Sequence, residues 1–110
     1  MKFAHVLFAA ALAVVPFAAQ AQDVAQFSIV AKDGKLVPAE IVVPAGKKIK
    51  LDISNEGKTP IEFESKALKI EKVLAPGAKS SVTINPLKPG EYAFEDEFHS
   101  ATSKGKIIAK

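Results

Sequence analysis

The chain has no cysteine, no tryptophan and no arginine, and its one methionine is Met1. Without cysteine it can form no disulfide, no thiolate metal site and no thiol nucleophile. Without arginine it lacks the planar fork that grips phosphates and bases bidentately. The formal net charge of +3 is too mild to argue for nucleic acid, so none is expected as a partner. No glycine-rich phosphate loop occurs, and no repeat or long helical periodicity is present. Histidine is scarce as well: only His5 and His99.

What is there begins with one apolar run. Lys2 is followed by "FAHVLFAAALAVVPFAA", and "AQA" stands before Gln22. This layout predicts a secretory signal peptide over residues 1–21 and, most simply, export to a bacterial periplasm. The run is too short to be a stable membrane span, so the mature chain, residues 22–110, is expected to have none. His5 leaves with the leader, which makes His99 the only imidazole of the mature domain. A domain of this size without disulfides must rely on an efficient apolar core.

Residues 22–110 are punctuated by Pro and Gly at short intervals, with β-branched, alternating runs between them. This predicts an all-β sandwich of seven or eight short strands. "FSIVAK" is a first strand and "DGK" a turn. "KKIKLDISNEG" alternates, with Ile49, Leu51 and Ile53 on one face and Lys48, Lys50, Asp52 and Ser54 on the other. "TPIEFES" is a strand opened by Pro60. In it Ile61 and Phe63 share the inward face, so Glu62 and Glu64 share the outward one. "SKALKIEKVLAPGAK" has spacing that suits one helical turn before "APG" cuts it short. "GEYAFEDEF" puts Tyr92, Phe94 and Asp96 on one face, and the Tyr92 hydroxyl calls for a partner at the sheet edge. Lys47, Lys48 and Lys50 form a small basic patch that reads as a solvated face. Ser100, His99 and Asp96 are too close in sequence to form a nucleophilic triad.

The order "VPAEIVVPAGKKIKLDISNEGKTPIEF" resembles the front half of cupredoxins, and "LAPGAKSSVTINPLKPGEYAFEDEFHSATSKGKIIAK" resembles the back half. The resemblance runs over residues 27–110 and implies a cupredoxin-like Greek-key β-sandwich with its metal loops at one end. The ligands depart from the family's pattern. A blue-copper centre needs a cysteine thiolate, two histidines and usually an axial methionine. Here Asp96 falls where cysteine stands, Ser103 falls near the methionine, and the first histidine position falls on Ile61 or Glu62. Only His99 is retained, so a blue-copper centre is excluded.

"PIEFES" and "FEDEFH" bring the chain closest to cysteine-free, cupredoxin-like periplasmic proteins of bacterial ferrous-iron uptake. That resemblance implies binding of an iron or copper ion, with Fe(II) oxidation or electron transfer as one form of the role. It also implies an iron permease and a periplasmic iron-binding protein as partners. A non-catalytic iron or copper carrier, or a structural module without metal, is the alternative. Carboxylates with one imidazole suit Fe(II), Fe(III), Mn(II) and Cu(II), and Zn(II) accepts such sets too. The candidate metal residues are Asp96 and His99, with Glu62 as third ligand and Glu64 one step further along the same face. Glu95 and Glu97 alternate away from Asp96 and are expected beside the site or on the surface.

Overall fold

Asp33 and Gly34 hold the left-handed backbone (φ 53° and 72°) that closes a two-residue hairpin in the hand matching strand twist. The hairpin joins β1 (Ala25–Lys32) to β2 (Lys35–Val37), with Lys32 opposite Lys35. The computed structural model describes residues 24–110, together with Ala11 and Ala13. The signal peptide expected over residues 1–21 otherwise lies outside the described residues. Among the described residues no helix is long and apolar enough to cross a membrane.

Seven further strands follow: β3 (Glu40–Val43), β4 (Ile49–Asn55), β5 (Ile61–Ser65), β6 (Ile70–Leu74), β7 (Lys79–Ile84), β8 (Gly90–Asp96) and β9 (Lys104–Ala109). They form two sheets, ordered β2-β1-β4-β7 and β3-β9-β8-β5-β6. The pairs β1–β4 and β3–β9 are parallel and the rest antiparallel. The architecture is the expected all-β, cupredoxin-like sandwich, with nine strands among the described residues instead of seven or eight. The additions come from the short β2 and from residues 66–78. That segment makes a turn and β6 rather than a helical turn, because Lys69 takes a left-handed conformation (φ 55°) and folds Ile70–Leu74 back on β5.

The two inner faces supply the core. Ile49, Leu51 and Ile53 of β4 are buried, and Lys50, Asp52 and Ser54 between them are not. Phe63 of β5 meets Phe94 of β8 with ring centroids 5.4 Å apart and planes tilted by 34°, a favourable offset for aromatic quadrupoles. Phe94 stands opposite Gly105, whose missing side chain makes room for the ring. A Cβ there would collide with the Phe94 ring and the Ala39 carbonyl. The Tyr92 hydroxyl donates to the Lys88 carbonyl at 2.7 Å, the edge partner the sequence calls for.

Strand direction gathers three loops at one end. Because β1 and β4 run parallel, the β1–β2 turn and the loop after Asn55 emerge together. The pairing of Phe63 with Asp96 brings the end of β8 to the same place. Phe94→Ala is expected to destabilise the domain by about 3–5 kcal/mol, as for other buried phenylalanines. Glu97→Ala, at an exposed position, should show no comparable loss. Denaturant unfolding of both variants checks this, and similar midpoints would contradict the assignment of faces.

Candidate metal and ligand sites

Asp96 ends β8 on the inward face and is only 1 % exposed. An ionised carboxylate so placed needs strong donors. It caps a short 3₁₀ turn, Glu97–His99, by accepting from Phe98 N at 3.1 Å on Oδ1. The same oxygen accepts from Glu62 N at 3.0 Å, which ties β5 to β8. Oδ2 lies 2.7 Å from His99 Nδ1. The imidazole is thereby oriented by a carboxylate, an arrangement that fixes the proton on Nδ1 and turns Nε2 outward. Nε2 has one neighbour, the Thr59 hydroxyl, at a long 3.4 Å.

The loop is braced from behind. Ser103, also buried, donates from Oγ to the carbonyls of Asp96 (2.9 Å) and His99 (2.8 Å) and accepts from Asp96 N (3.1 Å). Asn55 does the same for the β4–β5 loop. Its amide nitrogen donates to the Thr59 and Leu74 carbonyls, and its amide oxygen accepts from Gly57 N. Thr59 is thus held beside His99. Thr102 closes the third side, its hydroxyl donating to the Gly34 carbonyl. Between these loops lies a cleft of about 350 Å³, lined among others by His99, Thr59, Thr102, Lys32, Lys35 and Lys58.

A second cluster occupies the outer face of the five-stranded sheet. Register puts Glu64 directly between Glu71 on β6 and Glu95 on β8. Like charges directly opposite each other on a sheet destabilise it. Carboxylate oxygens of Glu62, Glu71 and Glu97 all lie within 4.8 Å of one another. The neighbouring carboxyl of Glu71 pushes the Glu62 pKa up to about 7, helped by desolvation and by Glu97. Glu64 is raised by its neighbour Glu97 and by desolvation. Among the described residues, Glu64 Oε2 is buried and finds no hydrogen-bond partner.

The sequence candidates therefore fall into two groups. The structure joins Asp96 to His99 directly. It brings Glu62 and Glu64 together with Glu71 and Glu97 on the outer sheet face, and only the backbone N–H of Glu62 reaches Asp96. Sequence reasoning missed Glu71, whose place depends on the turn at residues 66–69. It also missed Asn55, Ser103 and Thr59 as the braces of the His99 loop, although the Asn-x-Gly spacing at Asn55 signals a pinned turn.

Residues 5–109 match the family model described as a cupredoxin-like domain, and the chain belongs to that family. It is 40% identical over 86 residues to the uncharacterized protein RP394 of Rickettsia prowazekii (strain Madrid E), covering 78% of this chain and 69% of that protein. Its fold is similar to auracyanin A, a "blue" copper protein from Chloroflexus aurantiacus (TM-score 0.63, 14% identity, 77% of this chain and 98% of that one). It is also similar to the metal-binding domain of the Cu(I)-exporting P-type ATPase CopA of Streptococcus pneumoniae D39 (TM-score 0.68, 15% identity, 77% and 84%). The blue-copper group does not fit this chain. No thiolate exists, and Asp96 already accepts from two backbone N–H groups and the imidazole.

The sign of the Glu62 shift gives a pH test. A carboxyl whose folded pKa is raised from 4.5 to about 7 binds its proton more tightly folded than unfolded. Its stabilising contribution is full below the unfolded value and is lost as pH rises through about 7. Glu62→Gln should therefore be more stable than wild type at about pH 8 and should show a smaller loss than wild type between about pH 5 and about pH 8, the part due to Glu64 remaining. Thermal melts across that range check it. A wild type that loses nothing relative to Glu62→Gln would contradict the clustering.

Proposed function

We propose that this protein binds an iron or copper ion in the bacterial periplasm and supports ferrous-iron uptake, either by oxidising Fe(II) or passing electrons, or as a carrier. The observation that carries the metal reading is the convergence of Glu62, Glu71 and Glu97, with the partnerless Glu64 oxygen beside them. A carboxylate set of this kind suits a hard or borderline cation such as Fe(II), Fe(III) or Mn(II). Lys66 offsets Glu64 in part, and a proton or a cation would relieve the like charge that remains. The cupredoxin-like family of the chain supports a metal-related role, and the acidic "IEFES" strand carries Glu62 of the set and Glu64 beside it. Export through a signal peptide over residues 1–21, with an iron permease and a periplasmic iron-binding protein as partners, completes the reading. Those three elements rest on the leader's sequence and on the resemblance to the iron-uptake proteins.

A second reading places the ion at Asp96 and His99. The outward, carboxylate-oriented Nε2 favours it. The lysines lining that cleft disfavour a bare cation there, which ranks the glutamate face first.

Calorimetric titration with Mn(II), Cu(II) and, without oxygen, Fe(II) separates the readings. Wild type should bind an ion with proton release, since Glu62 must ionise. Glu62→Gln and Glu71→Gln should each weaken binding by about tenfold or more, and His99→Ala should leave it unchanged. Loss of binding in His99→Ala alone would move the ion to the imidazole. No binding of any ion would favour a structural module. Fe(II) oxidation no faster than in buffer would select the carrier over the redox form.

A further inference from the structure

The end of the sandwich that carries His99 differs in charge from the glutamate face. Three loops meet there, and two of them contribute lysines to the cleft. The β1–β2 turn supplies Lys32 and Lys35, the β4–β5 loop supplies Lys58 and Thr59, and the loop before β9 supplies His99 and Thr102. Their convergence is built into the fold. The Glu56 N–H donates to the Ala31 carbonyl at 2.8 Å and Thr102 donates to the Gly34 carbonyl, so the loops are bonded to one another around the cavity. The positive charge is not answered from within. Among the described residues none of Lys32, Lys35 and Lys58 forms an ion pair with a carboxylate. Of the two acids that line the cleft, Asp96 is buried and held by three donors, which leaves Asp33 alone against three ammonium groups.

We propose that this cleft binds a small multivalent oxyanion, a polycarboxylate or a phosphate, between Lys32, Lys35 and Lys58 and beside Thr59. A cavity of about 350 Å³ admits an anion of a dozen or so heavy atoms rather than a polymer. Lysines act on such a ligand as mobile point charges, which suits anions of varied shape. The hydroxyl of Thr59 stands at the cleft wall as the fixed polar group that orients it. Screening by salt should be strong, because the lysines are exposed. The inference does not rest on metal binding at the glutamate face.

The test is a nuclear magnetic resonance titration of the metal-free protein with citrate, inorganic phosphate and acetate at constant ionic strength. Citrate, phosphate or both should give saturable shifts confined to residues 32–35, 57–59 and 99–102, and acetate should bind more weakly. Saturation by citrate alone would assign the site to polycarboxylates, and by phosphate alone to phosphates. The triple variant Lys32→Gln, Lys35→Gln, Lys58→Gln should weaken binding by about tenfold or more, the effect of losing one good charged hydrogen bond. A control triple, Lys47→Gln, Lys48→Gln, Lys50→Gln, at the other end of β4, should bind as wild type does. No saturable shift with either multivalent anion, equal binding by the first triple variant, or equal loss in both triples would overturn the proposal. All six lysines lie outside the core, so matching melting curves confirm that the variants remain folded.

Discussion

The buried Asp96 carboxylate is the constraint on which the functional end depends. A charge removed from water must be met by donors, and the protein meets it internally with two backbone N–H groups and an imidazole. One of those bonds crosses from β8 to β5, one caps the 3₁₀ turn, and one aims His99. Ser103 then holds the backbone of that same residue from the other side. By the resemblance of its sequence to cupredoxins, Asp96 falls where those proteins carry the thiolate that binds copper. Here a carboxylate occupies that place and is saturated by protein donors, so it serves as the positioning partner of His99.

Saturation of Asp96 divides the chemistry of the molecule. Unbalanced negative charge collects on the outer face of the five-stranded sheet, where Glu62, Glu64, Glu71 and Glu97 crowd one another and two of them hold protons more tightly than usual. Unbalanced positive charge collects at the loop end around His99. The two regions differ in the sign of their charge, and both are carried by strands of one sandwich whose core includes the Phe63–Phe94 pair.

Much of this was legible in the chain itself. The alternation of Ile49, Leu51 and Ile53 announced a half-buried strand, and Asp33-Gly34 announced a turn. Period two placed Asp96 on the same face as Phe94 and placed Glu62 and Glu64 outward together, and the structure adds that the Asp96 carboxylate is buried. What the pattern could not carry was register between strands. Glu71 meets Glu64 only because the turn at Lys66–Lys69 has one particular length, and a shift of one residue would send the side chain to the other face. Helical spacing in "SKALKIEKV" competed with strand pairing, and tertiary pairing decided the outcome. The lysines of the cleft come from loops distant in sequence, so no local motif marks them.

The central claim, that the cation belongs to the glutamate face, is tested most directly by a crystal structure of the protein soaked with Mn(II), using anomalous scattering to place the ion. The account predicts an anomalous peak on the outer sheet face bounded by the carboxylates of Glu62, Glu71 and Glu97. A peak bonded to His99 Nε2, with the glutamates empty, would contradict it.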